Sequence, residues 1–257
     1  MPFALVTGAS KGIGKSIAEI LAGHQQDLIL VARSADLLQQ EAQRLSDQFK
    51  VRVEAFAIDL SAPDAPQKIY DWCTEKGFIL NMLVNNAGYG LSGSFEKYSS
   101  RENMDMMQVN MATPVHLIRL FLPMLRSQTK SYILNVASSA AYQAVPGLSL
   151  YAASKAFILS FSRGLRQELK KTTVSVTCVS PGATDTDFPN RAKIGKKGMQ
   201  AAQKVNMTPE AVAQAAVKAM YAGRPEVITG FINKLGAFLV WVLPKGLVET
   251  TAMKLYQ

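Results

Sequence analysis

Tyr151 and Lys155 stand four residues apart at the head of a segment, Ala152–Lys170, whose apolar residues recur at helical spacing, so the two side chains share one face. That pairing suits proton transfer. A free phenol has a pKa near about 10, too high for ready exchange at neutral pH, whereas an adjacent ammonium stabilises the phenolate. Lowering it by about two to three units takes roughly 3–4 kcal/mol of differential stabilisation, within reach of close charges in a partly dry site. A histidine base is not expected, because His24 and His116 have no partner motif. Cys73 and Cys178 belong to no CxxC pair and have no histidine at metal spacing. They are expected to be buried thiols, with no metal and no disulfide framework.

A second group of residues could hold a dinucleotide. Thr7-Gly8-Ala9-Ser10-Lys11-Gly12-Ile13-Gly14 follows the first apolar run and enters a helix beginning near Ile13. Glycines let the backbone turn sharply and approach a pyrophosphate held at a helix N-terminus, so Gly8, Ser10, Lys11, Gly12, Ile13 and Gly14 are the expected contacts. The spacing G-x-x-x-G-x-G differs from the commonest fingerprint, G-x-G-x-x-G. The second apolar run ends at Ala32-Arg33, about 20 residues on, where an NAD site usually carries an acid for the ribose 2′-hydroxyl. Here the position is basic, and Asp36 is the only acid nearby. A guanidinium forks onto a 2′-phosphate, and Lys11 could approach the same group, so NADP(H) is expected over NAD(H); the other reading of Arg33 is a solvated surface charge. Asp59-Leu60 and Asn85-Asn86-Ala87-Gly88 end two further runs and suit adenine and ribose, although each alone is also ordinary turn chemistry.

The elements that must position these residues alternate. Phe3–Val6, Asp27–Ala32, Val51–Ala57, Met82–Val84, Ser131–Val136, Val174–Val179 and Glu226–Ile228 read as seven strands, with helical patterns such as Ala35–Lys50 between them. Repeated βα units with right-handed crossovers predict an α/β, Rossmann-type doubly wound fold: a seven-stranded parallel sheet flanked by helices. Ligands of such sheets sit at the carboxyl ends of the strands, where the unusual residues fall. At 257 residues, with no long polar linker, the chain is expected to form a single domain over 1–257. Its composition is globular, with 48% apolar and 18% charged residues. The net charge of +9 is scattered, and only Lys193, Lys196 and Lys197 cluster. A nucleic-acid partner is therefore not expected; an anionic cofactor, acidic or acyl substrates, or solubility account for the charge equally well. The first strand starts without a basic region or a long apolar stretch before it, so a cytoplasmic location is expected.

With Thr7–Gly14, Asn85–Gly88, Asn110, Ser138, Tyr151-x-x-x-Lys155 and Pro181-Gly182 in this order, residues 3 to 190 resemble the short-chain dehydrogenase/reductase family, and Lys11 with Arg33 resemble its NADP-preferring branch. Y-x-x-x-K alone occurs often by chance; six motifs in order at family spacing do not. The resemblance implies hydride transfer between the nicotinamide and a carbonyl/alcohol pair. It makes Tyr151 the proton donor in reduction, and Lys155 a group that orients the ribose while tuning Tyr151. Ser138, thirteen residues before Tyr151, would hydrogen-bond the substrate oxygen, with the adjacent Ser139 as its rival. Asn110, in the helical region Arg101–Gln128, resembles a residue that holds a water linking Lys155 to solvent; a helix-kink or cap residue near Pro114 is the alternative. Pro181, Gly182, Thr184 and Thr186 resemble the loop that binds the nicotinamide carboxamide, although a Pro-Gly turn needs no ligand to exist. The family is commonly dimeric or tetrameric, so a homodimer or homotetramer is implied.

Two segments depart from a compact pattern. Residues 188–207 lose the strand pattern and become rich in Lys and Gly where the family places a mobile substrate-covering segment. After Gly230 the chain continues through residues 231–257, an apolar C-terminal extension in which Gly236–Leu243 is apolar on all sides. Such a stretch is far short of a bilayer span of about 20 residues, and Pro244 would interrupt it. It could pack over the substrate cleft, form a subunit interface, or make peripheral membrane contact. Similar extensions occur in family members acting on lipids, steroids and 3-oxoacyl compounds, so the implied substrate is an apolar ketone or aldehyde. The methionines at 104, 106, 107 and 111 are expected to fill core or interface. The alternatives to an NADPH-dependent oxidoreductase are an NADPH-binding regulatory protein or a membrane-surface lipid-binding protein without turnover. An epimerase or dehydratase of the family's extended branch is disfavoured by the short chain and the glycine spacing.

Overall fold

The computed structural model describes residues 1–192, 195 and 206–256. Seven parallel strands form one sheet in the order β3-β2-β1-β4-β5-β6-β7, with β1 Phe3–Thr7, β2 Asp27–Ala32, β3 Val53–Ala57, β4 Leu80–Asn85, β5 Ser131–Val136, β6 Val174–Ser180 and β7 Glu226–Ile228. All seven expected strands are present. β4 is longer at both ends than its apolar run: at the start Leu80 pairs with Phe3 of β1, and at the end the buried Asn85 donates to Asn135 of β5. β3 starts two residues later than expected, after Lys50 has ended the preceding helix in the left-handed conformation. The central strands are buried along their whole length, which explains why their sequences run continuously apolar rather than alternating.

Helices cover both faces. On one side α1 (Gly12–Gly23), α2 (Ala35–Phe49) and α8 (Pro209–Tyr221) pack Ile17, Leu21, Leu38, Leu45 and Val217 against β1, β2 and β5. On the other, α3 (Ala65–Glu75), α5 (Thr113–Arg126) and α6 (Ser149–Glu168) bury Ile69, Leu117, Phe121 and Leu165 against Leu5, Leu83 and Ile133. The strand order reverses between β1 and β4, so the loops after these two strands diverge and leave a crevice at the carboxyl edge.

The expected helical region Arg101–Gln128 is interrupted. α4 (Ser100–Met107), opened by a reciprocal Ser99/Glu102 capping box, passes through a π turn over Gln108–Ala112 before α5 begins. Of the methionines there, Met106 is buried, whereas Met104 is exposed. Of the expected substrate-covering segment, Phe188–Arg191 form the short helix α7. Residues 193–194 and 196–205, including the three-lysine cluster, lie outside the described residues. The extension folds as two helices, α9 (Phe231–Val242) and α10 (Lys245–Tyr256), separated at Pro244 as its missing donor requires. Among the described residues no helix is long and apolar enough to cross a membrane. Cys73 and Cys178 are buried and unpaired, and burial pushes both thiols up to about 12. His24 stacks on Tyr221, and His116 is exposed.

Candidate active site

The glycine turn is held open by residues from the far side of the crevice. Thr7, the last residue of β1, accepts hydrogen bonds on Oγ1 from the amides of Asn86 (3.0 Å) and Ala87 (3.1 Å) and donates to the Val84 carbonyl. Asn86 returns the contact, its Nδ2 donating to the Thr7 (2.9 Å) and Gly8 carbonyls. The loops after β1 and β4 are therefore one stitched unit. Gly8 and Gly12 both have positive φ, 67° and 56°, and a Cβ on Gly12 would meet Thr186. Gly14 is buried beneath the turn, where a Cβ would strike the Gly8 carbonyl and Asn86. It is a close-packing position and does not line the cleft.

α1 then starts at Gly12 with no side-chain cap and no acid in its first turn, so its N-terminal amides and the positive end of its dipole face the crevice uncompensated. The crevice is a cleft of about 400 Å³. Gly8, Ser10, Lys11, Gly12 and Ile13 line one wall, Arg33, Asp59 and Leu60 the end beyond β2 and β3, and Asn86, Ala87 and Gly88 the floor. At the opposite end come Ser138, Tyr151 and Lys155, then Pro181, Gly182, Thr184 and Thr186. Residues thus gather here from the carboxyl ends of six strands. Arg33 lies 4.0 Å from Asp59 and Lys11 lies 3.8 Å from Asp187, both pairs at the surface. Burial alone would raise the Asp59 carboxyl; hydrogen bonds from Ser61 and the charges of Arg33 and Arg191 overcome that and hold it below its ordinary value.

Tyr151 and Lys155 share a face of α6, as their spacing predicts, with Lys155 Nζ 5.8 Å from the Tyr151 ring centre. Lys155 is almost completely enclosed, its ammonium donating to the Val136 carbonyl at 3.0 Å, and burial lowers its pKa to about 8. Tyr151 stands in an apolar surround of Met106, Val145 and Leu148, and the Phe188 ring lies 5.1 Å from its own. Ser138 has an extended backbone, and its Oγ accepts from the Ala140 amide at 3.1 Å, starting the 3₁₀ turn Ser139–Tyr142. Ser139 lines the same cleft.

Asn110 does not line the cleft. It is buried in the π turn, where it accepts from the Tyr89 amide (3.1 Å) and donates to the Tyr89 carbonyl (2.9 Å) and Ser154 Oγ (3.0 Å). A Cβ on Gly88 would come within 3.1 Å of Asn110 Oδ1 and 3.0 Å of Lys155 Nζ, so a glycine is what lets these two side chains approach the loop.

Leu148, Phe188 and Arg191 are among the lining residues that the sequence does not single out. Arg191 lies 4.3 Å from the centre of the Tyr89 ring, and the Ala192 carbonyl accepts from the Ser92 amide, which ties α7 across the mouth. Their membership of 188–207 was the only available signal for Phe188 and Arg191, because nothing local in the sequence says which way α7 turns.

An open parallel sheet with a glycine turn and an uncapped helix at its switch point defines a dinucleotide-binding protein, and the buried Lys155 lies beside Tyr151 in the same cleft. The short chain dehydrogenase family model matches residues 2–198. The chain belongs to this family and is an oxidoreductase of it. It is similar to an uncharacterized oxidoreductase of Staphylococcus saprophyticus, 34% identical over 84% of this chain and 90% of that one. It is also similar to the human very-long-chain 3-oxoacyl-CoA reductase, 29% identical over 99% of this chain and 77% of the relative. Among solved structures, a short-chain dehydrogenase from Sphingobium yanoikuyae in complex with NADPH aligns with TM-score 0.82 and 30% identity, covering 93% of this chain and 92% of that one.

Proposed function

We propose that this oxidoreductase is an NADPH-dependent carbonyl reductase that interconverts a ketone or aldehyde with an alcohol on an apolar, 3-oxoacyl-like or other lipid substrate. The observation that carries the reading is Lys155: an ammonium enclosed in the protein at the cleft that the glycine turn also lines, on the same helix face as Tyr151. An isolated buried ammonium is costly, so its retention beside a phenol is explained by use.

The cleft fits the cofactor. The uncapped α1 terminus and the amides of residues 8–13 suit a diphosphate, and the basic Arg33 and Lys11 in the lining favour a 2′-phosphorylated ribose. Asp59 and Leu60 suit adenine, Asn86–Gly88 the ribose, and Pro181, Gly182, Thr184 and Thr186 the carboxamide. Bound NADPH supplies the hydride that forms the new C–H bond at the carbonyl carbon. Tyr151 gives its hydroxyl proton to the oxygen, Lys155 stabilises the phenolate that remains, and Ser138 holds the oxygen while its charge develops. Asn110 supports this by fixing the Tyr89 loop beside Lys155. The apolar surround of Tyr151 supports an apolar substrate, in line with the substrate named for the human relative.

The test follows nicotinamide absorbance with purified protein, NADPH and a panel of ketones, aldehydes and 3-oxoacyl thioesters. Wild type is expected to oxidise NADPH with at least one panel member, and Tyr151→Phe to lose about 10²–10⁴-fold in rate while still binding NADPH. Equal turnover by Tyr151→Phe would sink the assignment.

A further inference from the structure

The first helix of the extension keeps its large apolar side chains out of the protein core. In α9 the half-buried positions are Asn233, Ala237 and Val240, at helical spacing on one face. The opposite face consists of Phe231, Leu235, Phe238 and Val242 in one stripe, with Ile232 and Leu239 beside it, all exposed. Phe231 is 80% accessible and Phe238 58%. Trp241, 84% accessible, and the exposed Lys234 border the stripe, and the exposed Lys245 opens the next helix, past Leu243 and Pro244. A contiguous apolar face of this size on a folded protein marks a surface with a partner.

Two further observations say which partner and how it is presented. First, the charge of the extension is net positive: among residues 231–253, Lys234 and Lys245 are exposed beside or just after α9, and the single acid Glu249 lies on the following helix. A second copy packed face to face would bring like charges together, whereas an anionic lipid surface neutralises them. Tryptophan and lysine at the border of an apolar stripe suit the boundary between acyl chains and headgroups. Second, α9 is fastened to the rim of the cleft. Asn233 donates to the Thr229 carbonyl at 2.8 Å and fills the space where Gly182 has no side chain. The same helix lies along the 3₁₀ turn that follows Ser138.

We propose that the outward face of α9 is a membrane-binding surface for anionic bilayers, lying in the plane of the headgroups and holding the mouth of the cleft beside the lipid. Insertion is shallow, since a twelve-residue helix is too short to span. If the substrate is an apolar carbonyl, as proposed above, it reaches Tyr151 from the bilayer; the binding surface itself does not depend on that reaction.

The test is co-sedimentation of the full-length protein with extruded vesicles of phosphatidylcholine alone or of equal parts phosphatidylcholine and phosphatidylglycerol. Wild type is expected to pellet with the anionic vesicles, and its tryptophan emission to shift to shorter wavelength, a shift absent in Trp241→Phe. Leu235→Asp and Phe238→Asp are each expected to abolish pelleting, and Lys234→Ser to weaken it by about fivefold. Circular dichroism melts of each variant show that the fold is retained. Wild type left in the supernatant, or pelleting unchanged by both aspartate variants, overturns the proposal. A wild-type dimer that Phe238→Asp dissociates, with no vesicle binding, would assign the face to a second copy instead. Neither readout involves turnover, so this failure is distinguishable from failure of the reductase reading.

Discussion

Lys155 makes the conflict between stability and chemistry explicit at the scale of one residue. Its folded pKa of about 8 lies below the ordinary 10.5 because burial penalises the ammonium. The sign follows from proton counting. Below about pH 8 the native and unfolded chains both carry the proton, and the burial penalty is present in full. Between about 8 and 10.5 the unfolded chain binds more protons than the native one, so this group's contribution to stability rises with pH. The penalty has a ceiling of about 3 kcal/mol, reduced by the bond to the Val136 carbonyl. Lys155→Met is therefore expected to raise the melting temperature at pH 7 while abolishing turnover, and the gain over wild type is expected to shrink by pH 9.5; calorimetry at the two pH values checks it. Arg33 offers a second prediction at this scale. Arg33→Ala is expected to remove charge-assisted bonds of about 1.5–3 kcal/mol and raise the KM for NADPH roughly tenfold to a hundredfold, leaving that for NADH unchanged. An equal effect on both nucleotides would show that Arg33 does not read the 2′-phosphate.

Among the elements, the π turn at Gln108–Ala112 changes what Asn110 does. A continuous α-helix would place this residue by its i,i+4 spacing alone; the wider turn frees its side chain to hold both backbone groups of Tyr89. Asn110→Leu leaves these half-buried groups without their side-chain partner, with an expected loss of about 1–3 kcal/mol in denaturant unfolding. Activity should fall as well, since the same loop carries Gly88 against Lys155. A stability change of less than about 0.5 kcal/mol would mean that the loop is held by other contacts. The strand-end loops behave alike: Thr7 and Asn86 stitch the loops after β1 and β4 together, so part of what looks in sequence like a nucleotide motif is the structural seam that shapes the cleft.

For the whole molecule, the cleft draws residues from both halves of the sheet across the reversal between β1 and β4. A ligand bound there stabilises both halves by mass action. NADPH at a hundred times its dissociation constant is expected to add about 2.7 kcal/mol and raise the melting temperature by roughly 5–10 °C. Thermal scans with and without NADPH measure this, and no shift at millimolar NADPH would show that the native protein does not bind the dinucleotide.

Much of this protein could be read from one dimension. A strand buried on both faces runs apolar throughout, and a backbone turn that must take positive φ carries glycine, so the seven strands and the glycine loop declared themselves locally. Tyr151 and Lys155 share a face because four residues on a helix nearly close a turn. The tertiary structure decided the properties that depend on distant neighbours. It made Gly14 a packing position beneath Gly8, gave Asn110 partners on Tyr89 and Ser154, and set Phe188 and Arg191 across the cleft. It also turned the narrow face of α9 carrying Asn233, Ala237 and Val240 inward and left its large apolar side chains facing out. Periodicity marks which residues share a face, but which face meets the protein is settled by the surfaces available once the chain has folded.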